Sequence, residues 1–124
     1  MKLDSYEFET VSRVFDICGL NVKPKHATHL GFHTPVTVKR CIDMWLKVHY
    51  NISHPKLHSL YPVSAPDTTT NTRLIGWLYK VDENCLAFFT YSGPFQIFKD
   101  SCETAHRMLN NLGFKVNRHS VGVF

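Results

Sequence analysis

His26, His29 and His33 stand in a His-x2-His-x3-His arrangement, and imidazoles so spaced can share a divalent ion where the backbone curls to bring them together. The chemistry of such a cluster would be metal-dependent hydrolysis, with zinc as the cofactor and these three residues as its ligands. The surrounding segment has no Cys pair, no neighbouring carboxylate and no helical His-Glu-x-x-His, the patterns that make zinc sites recognisable, and Cys18 is the nearest candidate for a fourth ligand. Eight histidines make Cys–His or Ser–His pairings easy to draw, but none has a spacing that selects it. There is no Gly-rich phosphate loop, and the acidic residues are too scattered for a two-metal nuclease. No catalytic residue is assigned on these grounds.

The cations are better organised than the histidines. Lys23, Lys25, Lys39, Arg40, Lys47 and Lys56 face Asp43 alone between residues 21 and 60, whereas residues 1 to 20 hold Asp4, Glu7, Glu9 and Asp16 against Lys2 and Arg13. The formal net charge of +4 is therefore concentrated in one segment. Clustered cations raise the local potential and attract polyanions, so the partner expected is nucleic acid or an acidic protein surface. On the first reading the six cations contact phosphates, while Trp77 and Tyr79 offer rings for base stacking. The alternatives are a protein-binding regulator or inhibitor of phage or plasmid type, or a subunit of a larger assembly, and after these a metal-dependent hydrolase built on the three histidines. His26-Ala27-Thr28 also resembles the His-x-Thr motif of two-histidine phosphoesterases, but no second His-x-Thr or His-x-Ser follows.

The elements that must position these residues follow from periodicity. Asp4 and Glu7 form a capping-box pattern, and Phe8, Val11, Val14, Phe15 and Cys18 recur at helical spacing up to Gly19, predicting a helix over about residues 5 to 18. Residues 20 to 33 read as a connector with a short strand near Leu30 and Phe32. Thr34 as N-cap and Pro35 in the first turn open a second helix. Its core face is Val38, Cys41, Ile42, Trp45, Leu46 and His49, with Lys39, Arg40, Asp43 and Lys47 opposite. Asn51 to Asn71, with three prolines, reads as a long loop able to carry a binding surface. Arg73–Val81 and Cys85–Tyr91 make a hairpin, Phe95–Phe98 a third strand, and Asp100 with Glu103 caps a third helix bearing Cys102, Ala105, Met108, Leu109 and Leu112. Phe114 to Phe124 supplies a terminal strand.

The expected fold is α+β over a single domain, residues 1–124. A helical half (1–50) with the basic, histidine-rich connector is followed by the loop (51–71) and a strand-strand-strand-helix-strand unit (72–124). Its helices pack on one face of a three-stranded antiparallel meander extended by the last strand. Tyr79-Lys80-Val81-Asp82, Leu86, Phe98, Ser101, Ala105, Leu109 and Ser120-Val121 follow an order of residue types that resembles the modular DNA-binding repeats of homing endonucleases over residues 77–121. In that family a hairpin precedes a Phe-x-Ser-x-x-x-Ala-Ala-x-x-x-Leu helix and then a recognition helix. Here His106 stands where a second Ala is usual, one extra residue separates Phe98 from Ser101, and Phe124 follows closely on Ser120-Val121. The expected strand order is also similar to that of the plant ethylene-response DNA-binding domain. Both resemblances imply DNA contact.

Cys18, Cys41, Cys85 and Cys102 form no Cys-x-x-Cys pair and read as reduced thiols, and the acidic start lacks the apolar stretch of an export signal. A cytoplasmic, intracellular and reducing location is expected, without membrane association. Val121-Gly122-Val123-Phe124 suits either closure of the monomer's sheet or pairing with a second copy in a homodimer.

Overall fold

The computed structural model describes residues 2–24, 34–66 and 71–122. At the start, Glu7 N–H donates to Asp4 Oδ1 at 2.8 Å and Asp4 N–H to Glu7 Oε1 at 3.0 Å, so the capping box forms as its residues require and opens helix α1, Ser5–Ile17. Gly19, at φ +80°, ends this helix in the left-handed region. There follow β1 (Asn21–Val22), α2 (Val36–Tyr50), a short 3-10 turn at Leu57–Ser59, β2 (Tyr61–Pro66), β3 (Thr72–Asp82), β4 (Cys85–Tyr91), α3 (Ser92–Ile97), α4 (Lys99–Asn111) and β5 (Lys115–Gly122). The five strands make one sheet in the order β1-β2-β3-β4-β5, antiparallel throughout except for β4 and β5, which run parallel and are joined by the two helices between them.

The class is α+β, as expected, but the helices lie on both faces of the sheet and not on one. α1 and α4 cover one face through Val11, Val14, Phe15, Cys102, Ala105 and Leu109, packed on Val63, Ile75, Leu78, Leu86 and Phe88. α2 covers the other through Val38, Ile42 and Leu46, packed on Trp77, Tyr79, Ala87 and Phe89. The cause is visible in the central strands. Leu86-Ala87-Phe88-Phe89 and Trp77-Leu78-Tyr79 are apolar at consecutive positions, so each strand needs cover on both sides.

Three further expectations are corrected. Phe95–Phe98 is not a third strand: Ser92–Ile97 is a helix, in which Pro94 occupies the first turn, where its missing N–H is no loss, and Phe95 turns into the core while Ile97 is exposed. The loop expected between Asn51 and Asn71 contains β2, where Tyr61, Val63 and Ala65 alternate onto the α1 face. α2 begins one residue later than its pattern suggests, with Pro35 in the cap position, and α4 begins at Lys99 behind Phe98, so neither uses the expected side-chain cap. The strand expected near Leu30 and Phe32 lies outside the described residues.

Two details lock the layers together. Lys80, 8% exposed on β3, reaches Glu7 of α1 at 2.8 and 3.0 Å. The β2–β3 register shifts so that Ile75 has no opposite number, which places Leu74 and Trp77 on the same face. Gly76, beside that bulge, lies so close to β4 that a Cβ there would fall 2.0 Å from the carbonyl oxygen of Phe89.

Candidate functional site

α2 gathers three of the expected phosphate-binding cations onto one element. Arg40 and Lys47 are exposed and Lys39 is half-buried, on the side of the helix away from Val38, Ile42 and Leu46. Lys47 Nζ pairs with Asp43 Oδ2 at 2.9 Å, one helical turn back. Lys56 follows on the loop to β2, exposed, its N–H donated to the Tyr79 hydroxyl at 3.2 Å, which ties that loop to the α2 face of the sheet. Lys23 is not brought to this group: it follows β1 at the opposite edge, with its N–H bonded to Pro62 O at 2.9 Å. Lys25, His26, His29 and His33 lie outside the described residues.

Trp77 and Tyr79, expected to stack on bases, are 0% and 1% exposed and belong to the core beneath α2. The ring exposed beside the cations is a different one. Trp45 is half-buried, with its indole 4.4 Å from the His49 ring and 4.5 Å from that of His119 on β5. Phe89 lies 5.6 Å from His119 on the core side, and the Tyr50 hydroxyl is bonded to His119 Nε2. Burial, and after it the neighbouring His49, hold His119 below the ordinary imidazole range, while burial pushes the Tyr50 phenol up. Both shifts keep the pair neutral, joined by a hydrogen bond between the phenol and the imidazole. This pair ties the end of α2 to β5.

His119 escaped the sequence reading because only strand pairing brings it under α2. Its signal was the alternation Asn117, His119, Val121, which puts these three on one side of β5. Trp45 and His49 also form the inner wall of an open groove of about 400 Å³, completed by Arg40, Cys41, Met44 and Val48. Every residue lining it belongs to α2.

Burial pushes the Cys102 thiol up to about 12 and also raises Cys18 and Cys85. No disulfide joins the four cysteines. Among the described residues no group of three or more His, Cys, Asp or Glu side chains could hold a metal ion, and no helix is long and apolar enough to cross a membrane.

Charge is divided across the sheet. α2 and the loop behind it carry Lys39, Arg40, Lys47 and Lys56 against Asp43, whereas the other face is in balance: Glu7, Glu9 and Asp16 of α1 stand against Arg13, Lys80 and Arg118, and α4 is itself balanced. No family model, curated protein or solved structure matches the chain.

Proposed function

We propose that this protein is a small, non-catalytic nucleic-acid-binding protein whose contact surface is the exposed side of α2 with the loop that follows it. The observation that carries this reading is the division of charge across the sheet. Cations spread evenly over a surface only keep a protein soluble, but an excess of cations on one side, over another side in balance, creates an oriented field that draws in a polyanion and presents one face to it. Lys39, Arg40 and Lys56 make the phosphate contacts, and Lys47 exchanges Asp43 for phosphate. Trp45, His49 and His119 form a half-exposed stack beside them, able to take an unpaired base against its rim. An acidic protein surface would be held by the same cations and is the competing partner.

The test is a fluorescence-anisotropy titration against duplex DNA, single-stranded DNA and RNA. Three to four phosphate contacts predict that affinity falls by about 40- to 150-fold between about 50 and about 200 mM salt. Arg40→Glu combined with Lys39→Glu abolishes binding, whereas Arg107→Glu on the opposite face leaves it intact. No binding at low salt, or equal loss in all variants, overturns the assignment.

A further inference from the structure

Among the described residues β5 is an edge strand with one neighbour. Eight residues long and without proline, it pairs among the described residues with β4 alone, whereas the other edge, β1, is blunted by being two residues long. Lys115 N–H donates inward to Asn84 O at 2.7 Å, so the two-residue alternation of a strand turns the main-chain groups of Val116, Arg118 and Ser120 outward. Beside this rim, on the α2 face, stands the groove of Cys41, Met44, Trp45 and Val48, in which Met44 is 62% and Val48 65% exposed. Trp45 and His49 of its wall rest on His119 of β5, so rim and groove form one continuous surface.

We infer that the occupant of this surface is a second copy of the chain, with β5 pairing antiparallel to β5 of the copy. The argument is geometric. An antiparallel junction between identical strands in a continuous sheet has its two-fold axis normal to the sheet, and that axis keeps each face on its own side. Both copies of α2 therefore lie on the same face, each turning the same flank toward the axis. α2 packs on Trp77 and Tyr79 of β3 and on Ala87 and Phe89 of β4, and its Trp45 and Tyr50 reach His119 of β5, so it lies over β4 with its Trp45 flank toward the edge. With strands about 4.8 Å apart, a helix over β4 stands about 7 Å from the two-fold axis, so the two helices lie about 14 Å apart and meet through the long side chains of Met44 and Trp45. The apolar flanks of the two then face each other across the axis. A different protein would have to supply both a strand and an apolar helix at that spacing; a copy supplies them by symmetry.

A strip about 25 Å long and one strand plus one helix deep buries less than the roughly 800 Å² per partner of a standard interface, so the association is a weak, concentration-dependent one. The inference does not rest on nucleic-acid binding, although it would set the cations of two α2 helices side by side.

Sedimentation equilibrium from about 1 to about 200 μM, without nucleic acid, reads the outcome directly. The expected result is a shift from one chain to two. Met44→Glu with Val48→Glu, both at exposed positions, weakens the association by about tenfold or more while leaving the circular-dichroism melt of the monomer in place. In the dimer the amides of Val116, Arg118 and Ser120 become protected from hydrogen exchange as concentration rises. A chain that stays monomeric at the upper concentration, a dimer indifferent to the two glutamates, or one in which those amides exchange as in the monomer overturns the inference. Salt weakens nucleic-acid binding but not an apolar, main-chain-bonded dimer, so either reading can fail without the other.

Discussion

His106 shows most directly how a single residue couples this fold to its conditions. Its ring lies 5.4 Å from that of Phe88 and 6.4 Å from that of Phe15, and its Nε2 is buried without a hydrogen-bond partner among the described residues. Burial, and after it the positive charge of Arg118, lower its pKa from 6.5 to about 4. Because the folded value is the lower one, the unfolded chain takes up the proton first as pH falls. The stability from a neutral His106 is thus complete above about pH 6.5 and is lost progressively toward pH 4, by up to about 3 kcal/mol. Urea midpoints at neutral and mildly acid pH are expected to diverge in the wild type and to converge in His106→Leu. Equal acid sensitivity in both would remove His106 as the cause. Sequence alone placed this residue on the third helix but gave no sign of what it touches, because Phe15 lies ninety-one positions away in the chain.

Among the elements, legibility tracked how local the determinants are. α1, the β3–β4 hairpin and the Cys102-Ala105-Leu109 stripe of α4 declare themselves through caps, turns and periods contained within each segment. β2 and α3 were misread because their prolines punctuate a sequence without breaking the element. Pro62 tolerates a strand paired over only two residues to β1, and Pro94 sits where a helix has no use for an N–H. The bulge at Ile75 leaves no local trace at all, yet it makes Gly76 indispensable. Gly76→Ala forces a methyl into the Phe89 carbonyl, backbone against backbone, and should cost at least about 3 kcal/mol in a denaturant titration. Gly19→Ala, which meets open space and only the left-handed backbone, should cost about 1–2 kcal/mol. Similar losses at both positions would mean that β3 can move away from β4.

At the scale of the molecule, the two cores share β3 and β4, so neither layer of helices can leave without exposing apolar side chains of the same strands. Ile42→Ala under α2 and Leu109→Ala under α4 should each destabilise by about 2–4 kcal/mol. Both are expected to shift tryptophan fluorescence and far-ultraviolet circular dichroism together, in one transition. Fluorescence from Trp45 and Trp77 melting ahead of the circular dichroism would show that the α2 layer is an independent unit. The candidate site was half legible for the same reason: Lys39, Arg40 and Lys47 share a helix and could be seen, whereas His119 and the β5 rim depend on strand order. That order also governs refolding. The β3–β4 hairpin closes across two residues, but β5 reaches β4 only after α3 and α4 have spanned the sheet, and the longer closure comes later. In the interval the outer edge of β4 is open, and the β5 of a neighbouring chain fits it as well as its own. Domain-swapped aggregates should therefore accumulate with protein concentration during refolding, and dilution at that step is what this topology asks of anyone who prepares it.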